Sequence, residues 1–167
     1  MLFTSREEGL RYFRSLGQRR DKVFISNAAD ANSCARPLSA ALRGQNVFHF
    51  HYRYQTDIEL AEPWAEKLPE RVRASRYFLP LITKDYFQSE HCIREYELAR
   101  ELADAGKVRI IPYFLDSSSA DIPEQGRDLS EWSVSIQARM IAKDLDKMLT
   151  AAEREQDQKG NVRDVVG

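Results

Sequence analysis

The chain has 167 residues, enough for one domain with a full core. Its hydrophobic fraction is 43% and its net charge is −1, with both signs spread along it. This balance supplies no basic patch for a nucleic-acid partner. The opening residues are too charged for a secretory signal, and no apolar run approaches the roughly 20 residues that cross a bilayer. In chain order, residues 5–17 read as a helix with Leu10, Phe13 and Leu16 inward, part of a helical extension over 1–20. Lys22 to Ser26 reads as a buried strand that ends in the turn-like Asn27-Ala28-Ala29-Asp30. A helix follows from about Ser33 to Arg43, with Gly44 suited to its C-terminal cap. Asn46 to Phe50 is the second strand, with His49 expected to be a satisfied core or edge histidine.

A polar loop, 51–61, carries Tyr52 and Tyr54 and leads to Glu62-Pro63-Trp64, where Pro63 suits a first helical position. That helix runs to about Ala74. The third strand is 76–83, the third helix 89–105, and Lys107 to Leu115 the fourth strand. Pro80 and Pro112 conflict with central strands, because proline lacks the ladder N–H. A loop rich in Ser, Asp, Gly and Pro extends to about Ser130. Trp132 to Ile136 then reads as a short fifth strand or as the start of the last helix. Ile136, Met140, Ile141, Leu145, Met148 and Leu149 have helical spacing. From Glu153 to Gly167 the chain is polar and without a stripe, which predicts a fraying, largely disordered tail, or a linker to a further sensor domain.

Strand and helix alternate four times, the pattern of a parallel sheet covered on both faces. The expected fold is α/β and flavodoxin-like, three layers with strand order 2-1-3-4-5, the domain spanning 21–152. In such sheets ligands bind beyond the carboxyl ends of the strands, where strand order reverses. That position lies between strands one and three. The loops to watch are therefore Ser26 to Asp30 and Lys84 to Glu90.

One residue on the third helix is out of place. Cys92, Tyr96, Ala99, Leu102 and Ala103 form an apolar stripe, and Glu95 falls inside it. A carboxylate there is costly unless it is paired, hydrogen-bonded or used. A structural role would pair it with an arginine such as Arg76 or Arg109. It lies too far along the helix to cap it. Several chemistries are missing: there is no GxGxxG, no phosphate loop and no GxSxG elbow. Cys34 and Cys92 form no CxxC and no zinc spacing, so no metal set is expected and a reducing, cytoplasmic setting fits.

Further residues carry a family pattern. Phe24-Ile25-Ser26, Gly44 before Val47-Phe48, and Glu62-Pro63-Trp64 occur in its order. So do Ala74-Ser75-Arg76, then Tyr86-Phe87-x-Ser89-x-x-Cys92-x-x-Glu95, then Ile110-Ile111-Pro112. Over about residues 21–150 the chain resembles a Toll/interleukin-1 receptor (TIR) domain, and in particular its NAD-cleaving, bacterial-type members. The resemblance implies cleavage of NAD at the nicotinamide–ribose bond, with release of nicotinamide and ADP-ribose or a cyclic isomer. It implies Glu95 as the catalytic carboxylate, with Ser26, Asn27, Trp64 and His91 around the substrate. NAD is then the substrate, and no cofactor is expected. His91 stands where these relatives often carry Trp. The resemblance also implies a role in immune defence and activation by self-association, with a sensor domain or partner protein as a further contact. The alternative from another class is a non-enzymatic assembly module working through the 51–61 loop. A third reading, a nucleoside deoxyribosyltransferase, needs a nucleobase-binding set that the sequence does not show.

Overall fold

The computed structural model describes residues 20–51, 64–118 and 121–166, with backbone alone for 20–22, 48, 64–68, 156, 157 and 159–166. The expected helix at 5–17 and the 52–61 part of the aromatic loop lie outside these residues. Three strands come first: β1 (Arg20–Asn27), β2 (Val47–His51) and β3 (Tyr77–Ile82). They alternate with helices α1 (Asn32–Gly44), α2 (Trp64–Arg73) and α3 (Glu90–Asp104). Short strands β4 (Arg109–Ile110), β5 (Tyr113–Phe114) and β6 (Arg127–Asp128) precede the long helix α4 (Val134–Val166). Every pairing is parallel, in the order β2-β1-β3-β5-β6, with β4 also on β3.

Strands β4 and β5 are two pieces of the expected fourth strand, both against the same edge of β3. The prolines explain the break. Ile111 N–H donates to Phe78 C=O and Leu115 N–H donates to Ile82 C=O. The N and C=O of Phe78, Pro80 and Ile82 therefore all point toward this edge, since successive strand residues alternate sides. The bond that Pro80 cannot make is the one that would go to Ile111, where the ladder is interrupted. Pro112 offers its carbonyl outward instead, accepting from Arg127 N–H at 3.0 Å. A central strand thus tolerates proline by facing its missing donor toward an interrupted neighbour.

Of the two readings of Trp132 to Ile136, the start of the last helix holds, from Val134 onward. The fifth strand is Arg127–Asp128, inside the expected loop. Both its residues are exposed, so it carries no apolar signal. Gly126 delivers it closely: a Cβ there would lie 2.4 Å from Phe114 Cε2 and 2.9 Å from the Pro112 carbonyl oxygen. Helix α1 includes Gly44, and the left-handed residue after it is Asn46, at φ 59°. Gly106 (φ 72°) follows the end of α3.

Residue alternation along the strands builds two cores. Val23, Ile25, Tyr77, Leu79 and Leu81 pack with Leu38 and Leu42 of α1 and Ile141, Leu145 and Leu149 of α4. Phe24, Phe50, Phe78 and Ile110 pack with Val72 of α2 and Ala99 of α3. The sheet is the middle of three layers, and its strands are buried on both faces, which is why they lack polar alternation. Helix α4 does not stop at Glu153 but continues to Val166. Its Glu, Arg, Gln and Lys residues favour helix without needing a buried stripe.

Candidate functional site

Ser26 is the last but one residue of β1, paired with Pro80 of β3. Like Phe24, it faces the α3 layer. The chain leaves β3 through Thr83 and a 3-10 turn at Tyr86–Gln88 before entering α3. Thr83 donates to Asp30 Oδ1 at 2.6 Å, tying the loop after β3 to the loop after β1. These are the two loops that flank the reversal of strand order.

Helix α3 brings Glu95 over this end of the sheet. As the wheel predicts, Cys92, Glu95 and Ala99 are its buried residues, and Glu95 is 1% exposed. Arg76 and Arg109 stand at the opposite ends of β3 and β4 and do not reach it. The partner of Glu95 is Ser26, whose hydroxyl donates to Oε2 at 2.5 Å. The other oxygen, Oε1, is buried without a hydrogen-bond partner. Burial pushes the Glu95 carboxyl up to about 8, against the downward pull of the Ser26 hydrogen bond.

Ser26 has a second contact. Its Oγ lies 2.8 Å from the Tyr86 hydroxyl. Tyr86 is fully buried, in a small cluster with Ala28, Ile82 and Cys92. Burial holds its phenol well above the ordinary range, with the Ser26 hydrogen bond opposing and the nearby Glu95 adding to the rise. Burial also pushes the Cys92 thiol up to about 12.

The other expected residues fall nearby or elsewhere. Asn27 points away from Glu95. Its amide donates to the Ala28 carbonyl at 2.7 Å and to Asn32 Oδ1 at 2.9 Å, and its Oδ1 meets His51 Nε2. His91 is half-buried at the start of α3. Its Nδ1 lies 2.8 Å from Ser89 Oγ and its Nε2 lies 3.6 Å from Cys92 Sγ. Ser89 occupies the N-cap position, but its side chain engages this ring and caps nothing. Trp64 opens α2, and its side chain lies outside the described residues. The structure therefore joins Ser26 directly to Glu95, sets His91 beside Cys92, and puts Asn27 in an adjoining polar cluster.

Two members of this region escape the sequence reading, Tyr86 and His51. Tyr86 belongs to the quoted Tyr86-Phe87-x-Ser89 step, but nothing local shows that its hydroxyl reaches back to β1. His51 is the last residue of β2, one beyond the expected strand, and is 2% exposed. A cleft of about 440 Å³, lined by Arg76, Lys107, Arg109, Met148 and Glu155 among others, opens at the other end of the sheet and does not touch Glu95. Among the described residues no group of three His, Cys, Asp or Glu could hold a metal ion, and no helix is long and apolar enough to cross a membrane.

The fold is similar to that of solved TIR domains. Those of the activated Roq1 resistosome, solved directly recognising the pathogen effector XopQ, superpose with a TM-score of 0.60 at 16% identity, over 75% of this chain and 99% of that one. The TIR domain of the Toll-related receptor TRR-2 from Hydra magnipapillata gives 0.51 at 14% identity, over 80% of this chain and 95% of that one. At such identities the likeness is one of fold. No curated protein sequence matches the chain. A family profile described as TIR domain matches residues 23–158, most of the chain and the whole of the sheet from Val23 onward. The chain belongs to the TIR domain family.

Proposed function

We propose that this domain cleaves NAD at the nicotinamide–ribose bond, with Glu95 as its catalytic carboxylate, in an immune response of bacterial type. The observation that supports this reading is the Glu95 Oε1 atom, buried and unpartnered beside the strand-order reversal. A buried polar atom without a partner is costly and fits a place that a ligand group completes.

The chemistry suits one carboxylate. Nicotinamide in NAD already carries positive charge and leaves without a general acid. The ribose left behind passes through an oxocarbenium-like state. A carboxylate that accepts from the ribose hydroxyls stabilises that charge, much as glycosidase carboxylates do. A poorly solvated setting strengthens the effect. The cationic ring also favours the ionised form of Glu95, so substrate binding draws off the proton that burial holds there.

Ser26 positions the carboxylate in this reading, while Asn27, Trp64 and His91 shape the substrate pocket. NAD is the substrate, and the products are nicotinamide with ADP-ribose or its cyclic isomer. Assembly is part of the proposal, because a similar TIR fold occurs in an activated resistosome. Activity should then rise more steeply than protein concentration.

The test is nicotinamide release from NAD at high protein concentration, wild type against Glu95→Ala. Release by the wild type and none by the variant is expected. Equal release by both removes Glu95 from the chemistry. No release at any concentration that yields oligomers leaves the assembly module as the function.

A further inference from the structure

We infer that Tyr86 is a positioning residue that sets the direction of the hydrogen-bond chain Tyr86–Ser26–Glu95 and so decides which Glu95 oxygen faces a ligand. The inference rests on the proposed function only for its catalytic consequence. The geometry stands without it.

The Tyr86 hydroxyl is fully buried, and among the described residues its hydrogen-bond partner is Ser26 Oγ, 2.8 Å away. A buried O–H that donates to nothing is costly. While Glu95 is ionised and can only accept, Tyr86 therefore donates to Ser26. Ser26, having accepted the Tyr86 proton, gives its own to Glu95 Oε2 at 2.5 Å.

The chain thus runs one way, from phenol to hydroxyl to carboxylate. Oε2 is the committed acceptor of the ionised carboxylate. Oε1 is the oxygen without a protein partner. In the ionised form Oε1 is thus a free acceptor, aimed by the fixed Oε2. Hydrogen bonds in series polarise one another, so the phenol strengthens the Ser26–Glu95 bond that favours the ionised form. The titratable groups that act on Glu95 from its surroundings are Tyr86, from the turn before α3, and Cys92, one turn earlier on α3. Asp30, from the loop after β1, acts on Cys92 in turn. Tyr86 and Cys92 keep their protons through the neutral range, and so neither is the source of a titration near pH 8.

The test follows the carboxyl carbon of Glu95 by NMR in protein with isotope-labelled glutamate, the signal assigned by its loss in Glu95→Gln. Tyr86→Phe keeps the ring and removes the donor. It should raise the Glu95 midpoint by roughly half a unit to one unit, the size of one net hydrogen bond. In a Ser26→Ala background the same change should have no effect, because the chain is already cut. Fluorotyrosine at position 86, a stronger donor of nearly the same volume, should move the midpoint down, and this holds the question open to an answer if Tyr86→Phe folds poorly. An unchanged midpoint in Tyr86→Phe, an equal shift without Ser26, or an upward shift with fluorotyrosine overturns the inference. NAD cleavage that survives Glu95→Gln overturns the proposed function instead and leaves the titration result standing.

Discussion

Ser26 and Glu95, 69 residues apart in sequence, meet across 2.5 Å at the end of the sheet where strand order reverses. This bond ties β1 to α3 and sets the electrostatics of the site. It provides one hydrogen bond to a buried carboxyl that can accept several. Burial therefore wins, and the group is held near 8.

The first prediction is a stability trade at Glu95. Between its ordinary value of 4.5 and about 8, the folded chain holds a proton that the unfolded chain has released. The native state binds more protons in that window, so stability falls as pH rises through it. The contribution is complete below pH 4.5, is lost at up to about 1.4 kcal/mol per pH unit, and changes little above about 8. Glu95→Gln carries no such charge. Urea unfolding should find it more stable than wild type by a few kcal/mol at pH 8–9 and nearly equal at pH 4. Parallel stability curves from pH 4 to 9 would show that the carboxyl titrates normally.

The pH dependence of NAD cleavage should carry the same group. If Glu95 must be ionised, kcat/KM rises with pH until about 8, since this ratio reports the free enzyme. The rise in kcat should come at lower pH, because the cationic ring of bound substrate favours the carboxylate. Coincident profiles would mean that substrate charge does not reach Glu95.

Gly126→Ala should destabilise the far edge of the sheet. Its Cβ would overlap Phe114 Cε2 at 2.4 Å and crowd the Pro112 carbonyl oxygen. Overpacking of this kind costs roughly 1–3 kcal/mol. Thermal unfolding should show the loss, and hydrogen exchange should place it at Arg127 and Leu129, whose N–H groups donate to Pro112 and Phe114. A variant with wild-type melting and protection would mean that the approach relaxes without cost.

Both thiols should be inert while the chain is folded. Burial pushes Cys34 and Cys92 up to about 12, so almost no thiolate exists near neutral pH. A thiol reagent at pH 7.5 should label them only at the rate of unfolding. Fast labelling of Cys92 alone would reveal local opening at the start of α3.

Glu124 holds the segment after β5 against α3. It accepts from the Tyr96 hydroxyl and from Arg100 Nη1, each at 2.5 Å, while Ile122 packs on the cluster that contains Tyr86 and Cys92. Burial alone would raise the Glu124 carboxyl, but the bonds from Tyr96 and Arg100 outweigh it and hold it lower. Glu124→Ala removes both bonds and should speed amide exchange over residues 121–126 by roughly tenfold or more. Unchanged exchange there would assign the anchoring to Ile122.

Much of this is legible in the amino-acid sequence. The apolar runs at Val23, Val47 and Tyr77 announced buried parallel strands, because strands covered on both faces need no polar alternation. The oddity of Glu95 was legible too, since helical spacing alone places it among Cys92 and Ala99. The fifth strand was not. Arg127 and Asp128 pair through backbone only, and both side chains are exposed. The tolerance of Pro80 was equally hidden, because it depends on what lies along the other edge of β3.

The sequence by itself determined the alternation, the three layers and the identity of the misplaced carboxylate, because these follow from the period of apolar residues in each segment. Only the tertiary structure decided what the carboxylate touches. Its partner Ser26 comes from a strand end, Tyr86 behind Ser26 comes from a turn, and no local pattern records a hydrogen bond across 69 residues. It also decided against Arg76 and Arg109, which parallel strands carry to the opposite end of the sheet. A carboxylate held by one hydroxyl and no cation keeps one oxygen free, and that arrangement exists only once β1, β3 and α3 are packed together.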